Sequence, residues 1–65
     1  MLVHRFDGSS AISSLRYNPE TGQMDVTFLS GRTYTHEGVP PDVVESFVSA
    51  ASPGRYYANS IKGVY

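Results

Sequence analysis

The hydrophobic period of this 65-residue chain changes once, at Val39-Pro40-Pro41. Before this point, residues 24–28 alternate apolar and polar side chains, which is typical of a strand with one buried face. After it, Val44, Phe47 and Val48 recur at the spacing of one helical face. Strands followed by helices predict an α+β domain in which the helices cover one face of a sheet.

Turn residues divide the first half of the chain into strands. Asn18-Pro19-Glu20-Thr21-Gly22 and Ser30-Gly31 supply the turn chemistry, and both links are short. Residues 11–36 are therefore predicted to form a three-stranded antiparallel β-meander. Ile12 and Leu15 are three positions apart, which predicts a bulge in the first of these strands.

The second half of the chain predicts two short helices packed on one face of the sheet. They are expected over residues 41–50 and 53–61, because Ser52-Pro53-Gly54 ends one helix and begins the next. We expect the following residues to pack together in the core: Val26, Phe28, Val44, Phe47, Val48 and Ile61.

Length and composition limit what this chain can be. Residues 1–8 are expected to form a flexible N-terminal extension, and residues 9–65 a single small domain. A domain of this size has a small core, so we expect a monomer or a weak homodimer. The sequence has no apolar run of membrane-spanning length and no signal-peptide pattern, which predicts a cytoplasmic protein without a membrane partner.

The residue types needed for catalysis or metal binding are scarce. The chain has no cysteine and two histidines, and its serines form no nucleophile elbow. The nearest approach to a metal site is His36-Glu37 with Asp42, but adjacent strand residues point to opposite faces. We therefore expect no catalytic residue, no metal ion and no cofactor.

A polar row and an apolar row share the second predicted helix. The apolar row, which is expected to face the core, consists of Tyr57, Ile61 and Val64. The polar row consists of Arg55, Asn59 and Lys62. It lies beside the helix start at Ser52-Pro53-Gly54, where free N–H groups and the helix dipole favour an anion such as phosphate. The alternative interpretation, a solvated helix face without a ligand, stays open at this point.

Aromatic residues on the last predicted strand offer a second candidate surface. Tyr34 and His36 share one face of that strand, and Arg32 is close in sequence. Such rings can stack unpaired bases while an arginine pairs with phosphate. The alternative is that the helices bury both rings in the core.

Several short blocks, taken in order, resemble the KTSC domain family from about Ser9 to the end of the chain. The matching residues are Ser9-Ser10-Ala11-Ile12, Tyr17-Asn18-Pro19-Glu20-Thr21-Gly22, Val26-Thr27-Phe28, Ser30-Gly31, Tyr34, Val39-Pro40, Ser52-Pro53-Gly54-Arg55-Tyr56-Tyr57-Ala58-Asn59, Ile61-Lys62 and Tyr65. The resemblance implies a small domain that is also appended to some lysyl-tRNA synthetases, with RNA binding as its suggested role. The family's central Tyr-x-Tyr reads Tyr34-Thr35-His36 here, so one phenol is replaced by an imidazole.

These observations predict a non-enzymatic binding module for single-stranded RNA or a nucleotide phosphate. The formal net charge of −1 provides no overall basic surface, so such binding must use a local patch. The alternative is a protein-interaction or small-anion-binding module, bacterial or phage-encoded. Salt dependence separates these functions, because contact with several phosphates weakens steeply as salt rises.

Overall fold

Four antiparallel strands form one sheet in the computed structural model, which describes residues 2–65. The elements are β1 (Leu2–Arg5), β2 (Ile12–Asn18), β3 (Gln23–Phe28), β4 (Thr33–His36), α1 (Pro41–Ser49) and α2 (Pro53–Ser60). The strand order is β1-β2-β3-β4, so each strand pairs with its neighbour in the chain. The predicted antiparallel meander and the two helices after it are confirmed.

The predicted number of strands, three, is wrong, because residues 2–5 add an edge strand. This segment belongs to the predicted N-terminal extension, whose Met1 lies outside the described residues. Strand β1 pairs with β2 and leads into Phe6, which is only 8% exposed. The Phe6 ring lies 5.1 Å from that of Phe47, and its N–H donates to the Ser13 carbonyl at 2.9 Å. The burial of the Phe6 ring against α1 therefore fixes the position of β1 at the edge of the sheet.

The predicted bulge lies at the start of β2. The pairing register with β3 shifts between Ile12 and Ser14, and this shift returns Ile12 to the face occupied by Leu15 and Tyr17. All three of those apolar side chains are buried. The bulge therefore lets a strand with irregular spacing present a single apolar face.

A close contact joins the β2–β3 turn to the segment before α1. Gly22 has a φ of +78°, and a Cβ at this position would meet the Gly38 backbone at 3.4 Å. The Val39 N–H donates to the Gly22 carbonyl at 3.0 Å, while the Tyr17 hydroxyl donates to the Val39 carbonyl at 2.7 Å. These bonds fix the chain where the hydrophobic period changes, and so they orient α1 over the sheet.

The two helices supply the second layer of the core. Of the six predicted core residues, Val26, Val44, Phe47 and Ile61 are buried, and Phe28 and Val48 are half-buried against them. The expected burial of Val64 is wrong, since this side chain is 62% exposed. Helix α2 ends at Ser60, so Val64 lies in a turn and leaves the helical row. Within residues 2–65, no helix has the length and apolar character needed to cross a bilayer.

Candidate ligand-binding cavity

An open cavity of about 540 Å³ lies between β4 and α2. Its walls carry aromatic rings from both layers, namely Phe28, Tyr34, His36 and Tyr57. Two cations, Arg32 and Lys62, stand at the same cavity, and Ala11 and Gly54 close one side. The structure therefore brings together five of the predicted site residues, which are Arg32, Tyr34, His36, Gly54 and Lys62.

Polar contacts on the outer face of the sheet hold β4 in place. The Thr35 hydroxyl donates to the Asp25 carboxylate at 2.8 Å, and the hydroxyls of Thr27 and Thr33 lie 3.0 Å apart. Because side chains alternate along a strand, these contacts leave Tyr34 on the helix-facing side. The cavity wall thus rests on a cross-linked pair of strands.

Tyr34 is the aromatic ring of this cavity that remains open to solvent. It is 44% exposed, and its ring packs edge-on against Phe28 at 5.5 Å and 89°. Phe28 in turn meets the Tyr57 ring edge-on at 5.1 Å and 80°. Packing against Phe28 therefore fixes the orientation of the Tyr34 ring, and the exposed part of the ring can contact a ligand.

His36 belongs to the same wall but is buried, with 8% of its surface exposed. Its Nδ1 lies 3.3 Å from the main-chain oxygen of Tyr65, and its Nε2 lies 2.9 Å from the Tyr57 hydroxyl. Because the Tyr65 oxygen can only accept, Nδ1 is the donor in that contact, while Nε2 and the Tyr57 hydroxyl share the second hydrogen bond. Both nitrogens are engaged. The prediction of an open stacking ring at His36 is therefore corrected to a residue that holds Tyr57 in position.

The charged groups around the cavity influence one another. A hydrogen bond from the Arg32 guanidinium to the Tyr34 phenol, followed by electrostatic attraction, raises the pKa of Arg32. Burial, and secondarily the proximity of Tyr34, raises the pKa of Tyr57. At neutral pH the cavity therefore presents the neutral Tyr57 phenol and the positive Arg32 guanidinium.

The predicted polar row of α2 is divided in the structure. Lys62 lies at the 540 Å³ cavity, whereas Ser52 and Arg55 line a second cavity of about 480 Å³. Asn59 is exposed and lines neither of the two. The expected common site for Arg55, Asn59 and Lys62 is therefore corrected. Its physical reason is that α2 ends at Ser60, so the helical spacing does not extend to residue 62.

The sequence prediction missed two of the aromatic walls and Ala11, one of the two small residues that border both cavities. Phe28 and Tyr57 were expected to serve the core alone, yet each also lines the larger cavity. Ala11 lies across the fold from Gly54, where a Cβ built on Gly54 would meet it, and both residues line both cavities. Alternation and helical spacing indicate that such residues face inward, but only the placement of α2 over the sheet shows where the core becomes open.

Comparison with known proteins identifies a family model and two sequence relatives that match this chain. The KTSC domain model matches residues 8–65. An uncharacterized protein of Stutzerimonas stutzeri is 43% identical over 54 residues, which cover 83% of this chain and 76% of the relative. A protein of Tsukamurella paurometabola is 35% identical over 54 residues, covering 83% and 81%.

A solved structure shows the same fold. The crystal structure of a KTSC domain protein from Yersinia pestis superposes with a TM-score of 0.85 and 34% sequence identity. The match covers 97% of this chain and 90% of that one. Family model, sequence relatives and solved structure agree, and the chain belongs to the KTSC domain family.

Proposed function

We propose that this protein is a non-enzymatic binding module for a nucleotide unit of single-stranded RNA or a nucleotide phosphate. The base would stack on Tyr34, and Arg32 and Lys62 would pair with phosphate. One observation carries the proposal, namely an exposed aromatic ring beside two cations in a cavity of about 540 Å³. A volume of this size suits a small ligand, for which sites of roughly 300–1,000 Å³ are usual.

The aromatic wall favours a flat ligand. Proteins that bind single strands commonly stack bases on rings, and every base has a π-face. Tyr34 is held by Phe28 and by Arg32, so little side-chain freedom is lost when a base stacks on it. Since both His36 nitrogens form internal hydrogen bonds, the histidine of this site supports binding and positioning more than proton transfer.

The net charge of −1 gives no overall basic surface, but several cations of the chain lie together at the cavities and form a local positive patch. Of the five Lys and Arg residues, Arg32, Arg55 and Lys62 line the two cavities described above. Of the six acidic residues, Asp7 alone lines either of them. Phosphate groups would therefore meet a positive surface on a chain that is slightly acidic overall. The proposal places the protein in the cytoplasm, where RNA and nucleotides occur.

A protein-interaction module is the second candidate, and a separate apolar groove supports it. This groove of about 330 Å³ lies at the β1 edge and includes Leu2, Pro41, Val44 and Val48. Leu2 is 44% exposed there. An apolar groove suits a partner side chain better than a phosphate, so the two candidates predict different responses to salt.

Binding of a fluorescein-labelled oligouridylate, followed by anisotropy, tests the proposal. Tyr34→Ala should weaken binding about 5- to 150-fold, because stacking on an aromatic ring contributes about 1–3 kcal/mol per base. Arg32→Ala tests the proposed phosphate contact. Its control is Arg5→Ala, which removes the same charge from the opposite face of the sheet. Equal losses in Arg5→Ala and Arg32→Ala would contradict the proposal.

Salt dependence completes the experiment. If Arg32 and Lys62 contact phosphates of a single strand, the binding constant should fall as salt rises. A plot of its logarithm against the logarithm of the salt concentration should have a slope of about −1.4 or steeper between about 50 and 200 mM. A slope near zero, together with unchanged binding in Tyr34→Ala, would favour the protein-interaction module.

A further inference from the structure

The second cavity adjoins the first across a low divide. It has a volume of about 480 Å³, and Ala11 and Gly54 line both cavities. A Cβ built on Gly54 would lie 3.2 Å from the Ala11 Cβ, tighter than an ordinary van der Waals contact. The divide therefore consists of the two smallest kinds of residue, and a side chain at position 54 would raise it.

The second cavity is more polar than the first, but it too offers aromatic rings beside a cation. The His4 and Phe6 rings meet edge-on at 4.7 Å and 74° in its wall. Arg55 lines the same cavity and is exposed, and it has no ion pair or hydrogen-bond partner for its side chain within residues 2–65. A ring surface beside a free guanidinium again suits a base and a phosphate. The acidic Asp7 also lines this cavity, so a phosphate would stay on the Arg55 side of it.

We infer that the two cavities are successive subsites for one single strand. One nucleotide unit would stack on Tyr34 in the larger cavity, and the next would enter the smaller cavity beside His4. The linking phosphate would cross Ala11 and Gly54 and pair with Arg55. This inference rests on the proposed function and adds to it a minimal ligand of two nucleotide units.

A length series of uridylates tests the inference. NMR titration suits this 7.1 kDa protein and reports weak binding residue by residue. UMP should shift amide signals around Tyr34 and Lys62, whereas pUpU should also shift those around Arg55 and Ser10. We expect pUpU to bind about tenfold or more tightly than UMP, the scale of an added charge-assisted contact. A third nucleotide should add little.

Two variants separate the subsites. Arg55→Ala should reduce the affinity for pUpU to that for UMP and leave UMP binding unchanged. Gly54→Val should also reduce the advantage of pUpU over UMP, because it raises the divide, and thermal unfolding shows whether that variant folds. Arg55→Ala changes an exposed side chain, so it keeps the test valid if Gly54→Val unfolds.

The outcomes distinguish this inference from the proposed function. Equal affinity for UMP and pUpU, with shifts confined to the larger cavity, would overturn the two-subsite inference alone. An equal gain with every nucleotide added beyond two would also overturn it, because that result indicates diffuse attraction. Failure of both UMP and pUpU to bind would contradict the proposed function itself.

Discussion

Replacement of Tyr57 by Phe tests the hydrogen bond that organises the cavity wall. The change removes the hydroxyl that is hydrogen-bonded to His36 Nε2 at 2.9 Å and leaves the ring in contact with Phe28 and Phe47. His36 is 8% exposed, so its Nε2 would remain buried without a hydrogen-bond partner. Leaving a buried polar group unsatisfied costs about 1–3 kcal/mol. For a domain of this length, each 1 kcal/mol lowers the midpoint of thermal unfolding by about 4–8 °C.

Urea unfolding followed by circular dichroism measures this loss, with an unchanged m-value as the sign of the same unfolding transition. Tyr56→Phe is the matched control, because the Tyr56 ring also stacks on Phe47 but its hydroxyl lies 3.5 Å from the Val43 carbonyl. That long contact is weak, so the control should lose less than about 0.5 kcal/mol.

A double variant isolates the energy of the His36–Tyr57 hydrogen bond. His36→Leu combined with Tyr57→Phe removes both hydrogen-bonding partners, and it should be less destabilised than the two single losses added together. Equal, small losses in Tyr57→Phe and Tyr56→Phe would refute the assigned role of the His36–Tyr57 pair.

Three further stability measurements follow from the packing and the titration of the chain. Phe47→Ala should cost about 3–5 kcal/mol in urea unfolding, because Phe47 is fully buried among three aromatic rings, and a loss below about 1 kcal/mol would contradict that packing. Phe6→Ala should cost about 3 kcal/mol and increase amide exchange in β1, whereas an unchanged exchange rate would contradict the fourth strand. The raised pKa of Tyr57 means that the unfolded chain loses its phenol proton first, so the contribution of Tyr57 to stability should be constant below pH 10.0 and fall above it. Tyr57→Phe should remove this fall, and an identical alkaline profile in that variant would contradict the assignment.

Local pattern accounts for most of the fold and fails where a distant contact decides. Alternation over residues 24–28 predicts β3, and the apolar stripe on α1 predicts Val44 and Phe47 in the core. Local periodicity does not predict β1, which is an edge strand of four residues. Its neighbour Phe6 is buried by α1, which lies far along the chain. Burial by a distant element leaves no trace in short-range periodicity.

The same limit applies to the candidate site, where local pattern predicts which face a residue occupies but not whether a helix covers it. Tyr34 and His36 lie on one face of β4, as alternation predicts, but α2 covers His36 with Tyr57 and leaves Tyr34 exposed. Their different environments depend on where α2 crosses the sheet, which the sequence pattern does not specify. Likewise, the division of Arg55 from Lys62 depends on the end of α2 at Ser60.

The central claim is that a base stacks on Tyr34 between Arg32 and Lys62. Intermolecular NOEs between UMP and the protein measure this contact directly. We expect NOEs from the uracil H5 and H6 protons to the Tyr34 ring, with amide shifts at Arg32 and Lys62. NOEs from uracil only to the apolar groove around Leu2 and Val44, or the absence of any NOE at saturating UMP, would contradict the claim.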